Sequence, residues 1–158
     1  MPKTYEPIQT QVLTGTQATV TFSSIPQTYT DLILITAGPT SVETDLDAVI
    51  NADTGTNYSF TYVYGDGSTA ISGRGTNQSR VVVGRGGSNP TGIAHFLNYA
   101  NTTIYKTSIA RTNLPSSITM IFVNVWRNTN AITSIELKPS TGTLSSGFTA
   151  TLYGIKGA

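Results

Sequence analysis

An all-β fold, an antiparallel β-sandwich or jelly roll of about ten short strands, is predicted here by three observations. Short apolar runs alternate at period two and are divided by Gly, Pro and Asn turn signals. Threonine, a residue that favours strands and is restricted in helices, is the commonest residue of the 158. Nowhere does an amphipathic helical period persist long enough to bury a helix.

The elements follow in chain order. Residues 1 to 7 (Met1, Pro2, Lys3, Thr4, Tyr5, Glu6, Pro7) hold two prolines and no pattern, which predicts an extended N-terminal arm ahead of one domain, 8 to 158. Ile8 to Leu13 and Ala18 to Phe22 read as a hairpin around Thr14 to Gln17, with Val20 and Phe22 directed inward. Leu32, Ile33, Leu34 and Ile35 make a strand apolar on both faces, hence central in a sheet, ended by Gly38-Pro39. Leu46 to Ile50 is a shorter strand. Tyr58, Phe60, Tyr62 and Tyr64 then fall on one face of another, an aromatic stripe that reads as core packing or a cross-strand ladder.

Residues 65 to 79, rich in Gly, Ser, Thr and Asn, are expected to form a mobile loop, followed by a strand over Ser79 to Gly84. Ile93 to Leu97 and Thr103 to Arg111 pair as a hairpin about the turn at Asn98 to Thr102. Ser117 to Leu137 is the strongest fold signal. Met120 to Trp126 is apolar on both faces, Arg127 to Asn130 is a turn, and Ile132 to Pro139 is expected to return as its partner strand. A Gly-rich loop at Thr141 to Gly147 and a strand from Phe148 to Ile155 complete the domain.

Composition narrows the function classes. With no cysteine and one histidine there is no disulfide framework and no thiolate metal site, and no cofactor is expected. Neither an apolar signal-peptide core nor a run of about 20 apolar residues is present, so no membrane partner is expected. Gly73-Arg74-Gly75 and Gly84-Arg85-Gly86-Gly87 lack the Lys-Ser/Thr ending and the following helix of a phosphate cradle, and a net charge of +1 is no basic footprint; no nucleic-acid partner is expected. His95 has no nucleophile motif to serve and reads as a satisfied strand histidine, so the chain is not expected to be an enzyme.

Two clusters are carried forward as candidate sites. Asp45, Asp47 and Asp53 are hard oxygen ligands within a short span, a calcium candidate set against side chains that cap their own turns. Charge is divided along the chain: residues 1 to 70 hold seven acids and one base, 71 to 158 one acid and eight bases. Glu43, Asp45 and Asp47 of one subunit facing Arg74, Arg85 or Arg111 of the next would set the register of a head-to-tail homotrimer.

Four phrases in order carry a resemblance. They are Val20-Thr21-Phe22-Ser23-Ser24-Ile25-Pro26-Gln27-Thr28-Tyr29-Thr30-Asp31-Leu32, Asp53-Thr54-Gly55-Thr56-Asn57-Tyr58-Ser59, Ala131-Ile132-Thr133-Ser134-Ile135 and Ala150-Thr151-Leu152-Tyr153-Gly154-Ile155. From about residue 8 to residue 155 the chain resembles small virion structural proteins of tailed phages, many from aquatic and cyanobacterial hosts. The resemblance implies a capsid decoration (cement) protein on the outer surface of the phage head. Its partners would be the major capsid protein, gripped by the arm, and its own copies. The alternative is a tail or fibre receptor-binding module gripping host glycan with Tyr62, Tyr64 and the Gly-rich loops. The family's turn reads Phe-Asn-Gly-Asp where this chain has Ile50-Asn51-Ala52-Asp53, and alanine there predicts an ordinary negative φ.

Overall fold

The computed structural model describes residues 4–115 and 117–157. Alternating runs become twelve strands: β1 (Tyr5–Val12), β2 (Val20–Phe22), β3 (Asp31–Ala37), β4 (Thr44–Ile50), β5 (Tyr58–Gly65), β6 (Ala70–Gln78), β7 (Val81–Gly86), β8 (Thr91–Leu97), β9 (Lys106–Leu114), β10 (Ile118–Trp126), β11 (Ile135–Pro139) and β12 (Thr149–Ile155). No described residue is helical. The strands form two antiparallel sheets packed as a sandwich, one of eight strands in the order β1-β12-β3-β8-β9-β10-β5-β6 and one of four in the order β2-β11-β4-β7.

The core lies between them. Leu32 and Leu34 of β3, Ala94 and Phe96 of β8, Phe122 and Trp126 of β10 and Leu152 of β12 meet Val20 and Phe22 of β2, Leu46 and Ile50 of β4, and Ile135 and Leu137 of β11. Period-two alternation sends these residues inward, and the removal of their apolar area from water is the main stabilising term. The one tryptophan is 1% exposed, as its size and position in β10 predict.

Strand positions were legible, but several pairings differ from expectation. β10 and β11 are not a hairpin: β10 lies between β9 and β5 in the large sheet, whereas β11 lies between β2 and β4 in the small one. Residues 127–134 therefore cross from one sheet to the other. Asn51 holds that crossing, its Nδ2 donating to Ala131 O at 2.8 Å and its Oδ1 accepting from the Thr133 and Ser134 N–H groups at 2.8 and 3.0 Å. Ile132 is buried beneath it, so this segment is core and not a surface turn. β1 and β2 do not pair with each other either; β1 pairs with β12 and β2 with β11.

The expected arm is sheet from Tyr5 onward. Tyr5, Glu6 and Pro7 stand opposite Ile155, Gly154 and Tyr153, and Glu6 accepts a hydrogen bond from the Tyr29 hydroxyl at 3.1 Å. Thr4 is the first described residue, and Met1, Pro2 and Lys3 of the expected arm lie outside the described residues. The 65 to 79 loop is instead mostly strand β6, paired with β5. Its glycines explain this: Gly73 and Gly75 stand opposite Tyr62 and Phe60, whose rings fill the space a Cβ would occupy, at 2.5 and 2.7 Å. Aromatic rings laid over strand glycines supply the packing that the glycines lack.

Ala52 has φ 54° and Asn51 φ 51°, so the turn closed by Asp53 N–H to Ile50 O at 2.9 Å uses two left-handed residues. The negative φ predicted from alanine is thus corrected. The turn starts the chain from β4 in the small sheet toward β5 in the large one, and alanine holds its left-handed backbone there at a cost of about 1–2 kcal/mol.

Candidate functional site

The acidic cluster is taken apart by the fold. Asp45 Oδ1 accepts from Arg85 Nη1 at 2.5 Å, and Glu43 lies 3.2 Å from the same guanidinium. Asp53 is a turn cap: it accepts from Gly55 N–H at 2.9 Å, from the Asn57 amide, and from Trp126 Nε1 at 2.8 Å. Burial pushes its carboxyl up, but these donors outweigh it and hold the group below its ordinary range. The three calcium candidates therefore have three separate occupations, and among the described residues no group of three or more acids and histidines is placed to hold a metal ion.

Asp47 is the least expected of them. It is buried in β4 on the small sheet, 2.7 Å from Arg80 Nε, and accepts from Ser140 Oγ at 2.6 Å. The Arg80 N–H does not point along that contact, and Asp47 Oδ1 has no hydrogen-bond partner among the described residues. Burial raises its pKa to about 6 against the pull of Ser140 and Arg80. Between roughly pH 4 and 6 the folded chain therefore holds a proton that the unfolded chain has released, and stability falls as pH rises through that window. A rise of this size is worth about 3 kcal/mol. Asp47→Asn is expected to be more stable than the parent at pH 8, with the difference much reduced at pH 4.5; urea titrations at the two pH values measure it, and a gap that does not change with pH refutes the assignment.

Arg85 was set against a neighbouring subunit's acids by the trimer expectation. In the structure its own Glu43 and Asp45 hold it, and Asp47 is engaged by Arg80, which leaves Arg74 and Arg111 without an ion-pair partner among the described residues. His95 is satisfied as the sequence predicted, its Nε2 2.9 Å from Asp31 Oδ2. Asp31 also accepts from Asn98 N–H at 2.7 Å.

Tyr58 is fully buried, and Phe60, Tyr62 and Tyr64 face inward and pack partly buried against the core. Tyr62 stacks on Tyr64 with ring centroids 6.2 Å apart and meets Phe122 at 5.6 Å. This is the cross-strand ladder, not a platform standing in solvent.

What stands in solvent is aliphatic. On the outer face of the eight-stranded sheet Ile35 is 42% exposed, Ile109 41%, Ile121 45%, Val123 44% and Val63 48%. The ladders place them side by side: Ile35 opposite Ile93 on β3 and β8, Ile93 opposite Arg111, Arg111 opposite Ile121, and Ile121 opposite Val63. One shallow depression on this face, of about 370 Å³, is lined by Ile35, Ile93 and Arg111 with Thr91, Asn113 and Thr119. Doubly apolar strands predicted sheet covered on both faces. β3 and β10 do sit inside the sheet, yet much of their outer aliphatic surface is uncovered within this chain.

Three further buried polar groups escaped the sequence reading. Lys106, 2% exposed, donates from Nζ to Ile104 O and Thr129 O at 2.8 and 2.9 Å, and burial lowers its pKa. The inward Asn124 accepts from Val82 N–H at 3.1 Å and donates to Val82 O at 3.0 Å. Thr112 Oγ1 accepts from Arg85 N–H at 3.0 Å. β7 is an edge strand of the small sheet, and Asn124 and Thr112 from the large sheet take up free backbone groups of its Val82 and Arg85. The signal available in sequence was a single amide in an apolar run at Asn124.

Comparison of the chain with protein-family models, with curated proteins and with solved structures finds no match in any of the three.

Proposed function

We propose that this is a virion structural protein, a decoration protein of a phage head that acts by being held in an assembly, with the major capsid protein and further copies of itself as partners. The observation that carries the reading is the open aliphatic face. Contiguous apolar patches of this kind mark surfaces that bind protein. Much of the remaining charge is already engaged by groups of the chain itself: Arg80, Arg85 and Lys106, with Asp31, Asp45, Asp47 and Asp53. The sequence resemblance supplies the setting, a phage particle.

The receptor-binding alternative needs aromatic side chains presented to a sugar. Tyr62 and Tyr64 are turned toward the core, which favours the structural role. Residues 5 to 7 are committed to β1, so an arm gripping the shell would have to be formed by the residues ahead of them.

The test is copy number in purified particles by quantitative mass spectrometry. Hundreds of copies are expected for a head decoration protein. A dozen or fewer would place the protein on the tail, and absence from the particle would end the reading.

A further inference from the structure

The outer face of the eight-stranded sheet is wide and carries few charges. Adjacent strands lie about 4.8 Å apart and seven-residue strands run about 23 Å, so eight strands present a face on the order of 800 Å². That is about the area each partner contributes to a stable protein–protein interface, roughly 800 Å². Its centre is the row Ile35, Ile93, Arg111, Ile121 and Val63, four aliphatic residues about one arginine, flanked by Ile109 and Val123. Depletion of charge around an aliphatic centre is the composition of interfaces between copies of one chain.

We propose that this face is covered in solution by a second copy of the chain, packed face to face. This rests on the reading above that the face exists to be covered within an assembly. Two physical arguments select a second copy as the occupant. A chain of net charge +1 has almost no electrostatic repulsion to keep such faces apart, and each molecule meets others bearing the same patch at its own concentration. The charges of the face also complement each other under a two-fold. Arg111, in the middle, has no ion-pair partner among the described residues, and Asp31 on β3, which within its own chain meets His95 and the Asn98 N–H, is the one carboxylate among the described residues at an outward strand position of this sheet. A two-fold axis lying between the two positions would set the arginine of each copy against the acid of the other, beside its His95 contact, and would do so twice, because an isologous interface repeats every contact.

Sedimentation velocity and light scattering across micromolar concentrations test this on the wild-type chain, on Ile121→Lys and on Ile109→Lys. A lysine at the centre of a buried pair cannot reach water, whereas on an open face it costs little. The wild type is expected to run as a dimer and both variants as monomers, with far-ultraviolet dichroism and the fluorescence of the buried Trp126 unchanged. Thr54→Lys, on an exposed turn away from this sheet, should leave the dimer intact. A wild-type monomer, a dimer that survives both lysines, or a cyclic trimer overturns the inference. The copy-number measurement separates the two readings: a dimer missing from particles fails the decoration reading alone, and a particle-bound monomer fails this one alone.

Discussion

Trp126→Ala is expected to lower the unfolding free energy by about 3–5 kcal/mol, the range for emptying a large aromatic site in a core. The indole is fully enclosed, stacks on Tyr58 with centroids 6.2 Å apart, and donates to Asp53. Its removal opens a cavity and also takes one donor from the carboxylate that caps the turn before β5. Equilibrium urea denaturation followed by far-ultraviolet dichroism measures the loss. Trp126→Phe keeps most of the volume and lacks the donor, so it should fall between the parent and the alanine variant. An alanine variant that melts with the parent would remove the basis for treating β10 as the centre of the core.

Asn124→Leu is expected to cost about 2–4 kcal/mol although it adds an apolar residue to an apolar core. The N–H and C=O of Val82 are bound by this one amide, and each buried backbone group left without a partner costs about 1–3 kcal/mol. Asn124→Asp separates the two bonds: the carboxylate still accepts from Val82 N–H but cannot donate to its carbonyl. Denaturation of both variants checks the account, and a leucine variant as stable as the parent would show that the edge of β7 does not depend on Asn124.

What the sequence disclosed and what it concealed divide along a physical line. Alternation at period two is a local property, so β3, β4, β5, β8 and β10 could be placed with their inward residues, Tyr58 and Trp126 included. Pairing is not local. Nothing in residues 117 to 137 distinguishes a hairpin from a crossing between sheets, because the deciding contacts come from Asn51, some eighty residues away in sequence. β6 was concealed because glycine reads as a loop former until the rings of Tyr62 and Phe60 are known to lie across it. The candidate charges were visible as residues but not as pairs. Asp45 and Arg85 are forty positions apart, and only the β4–β7 register brings them together. The double apolarity of β10 placed that strand inside a sheet, where it lies, but the cover expected on both faces is present on one only: Ile121 and Val123 on the outer face are 45% and 44% exposed.

The position of β12 has a consequence for how the molecule is made. β12 lies between β1 and β3, so it completes two ladders at once, one of them to a strand whose partner residues are about 140 positions earlier. During synthesis β1 has no native neighbour and β3 has an open edge until Thr149–Ile155 have left the ribosome. Closing so distant a pairing costs loop entropy before any contact repays it, which makes such topologies slow to fold. In that interval the aliphatic strand Leu32 to Ile35 is an unpaired edge, the kind of segment through which nascent chains join each other wrongly. Folding yield, more than the stability of the finished sandwich, is therefore where substitutions in Thr149–Ile155 should first be felt.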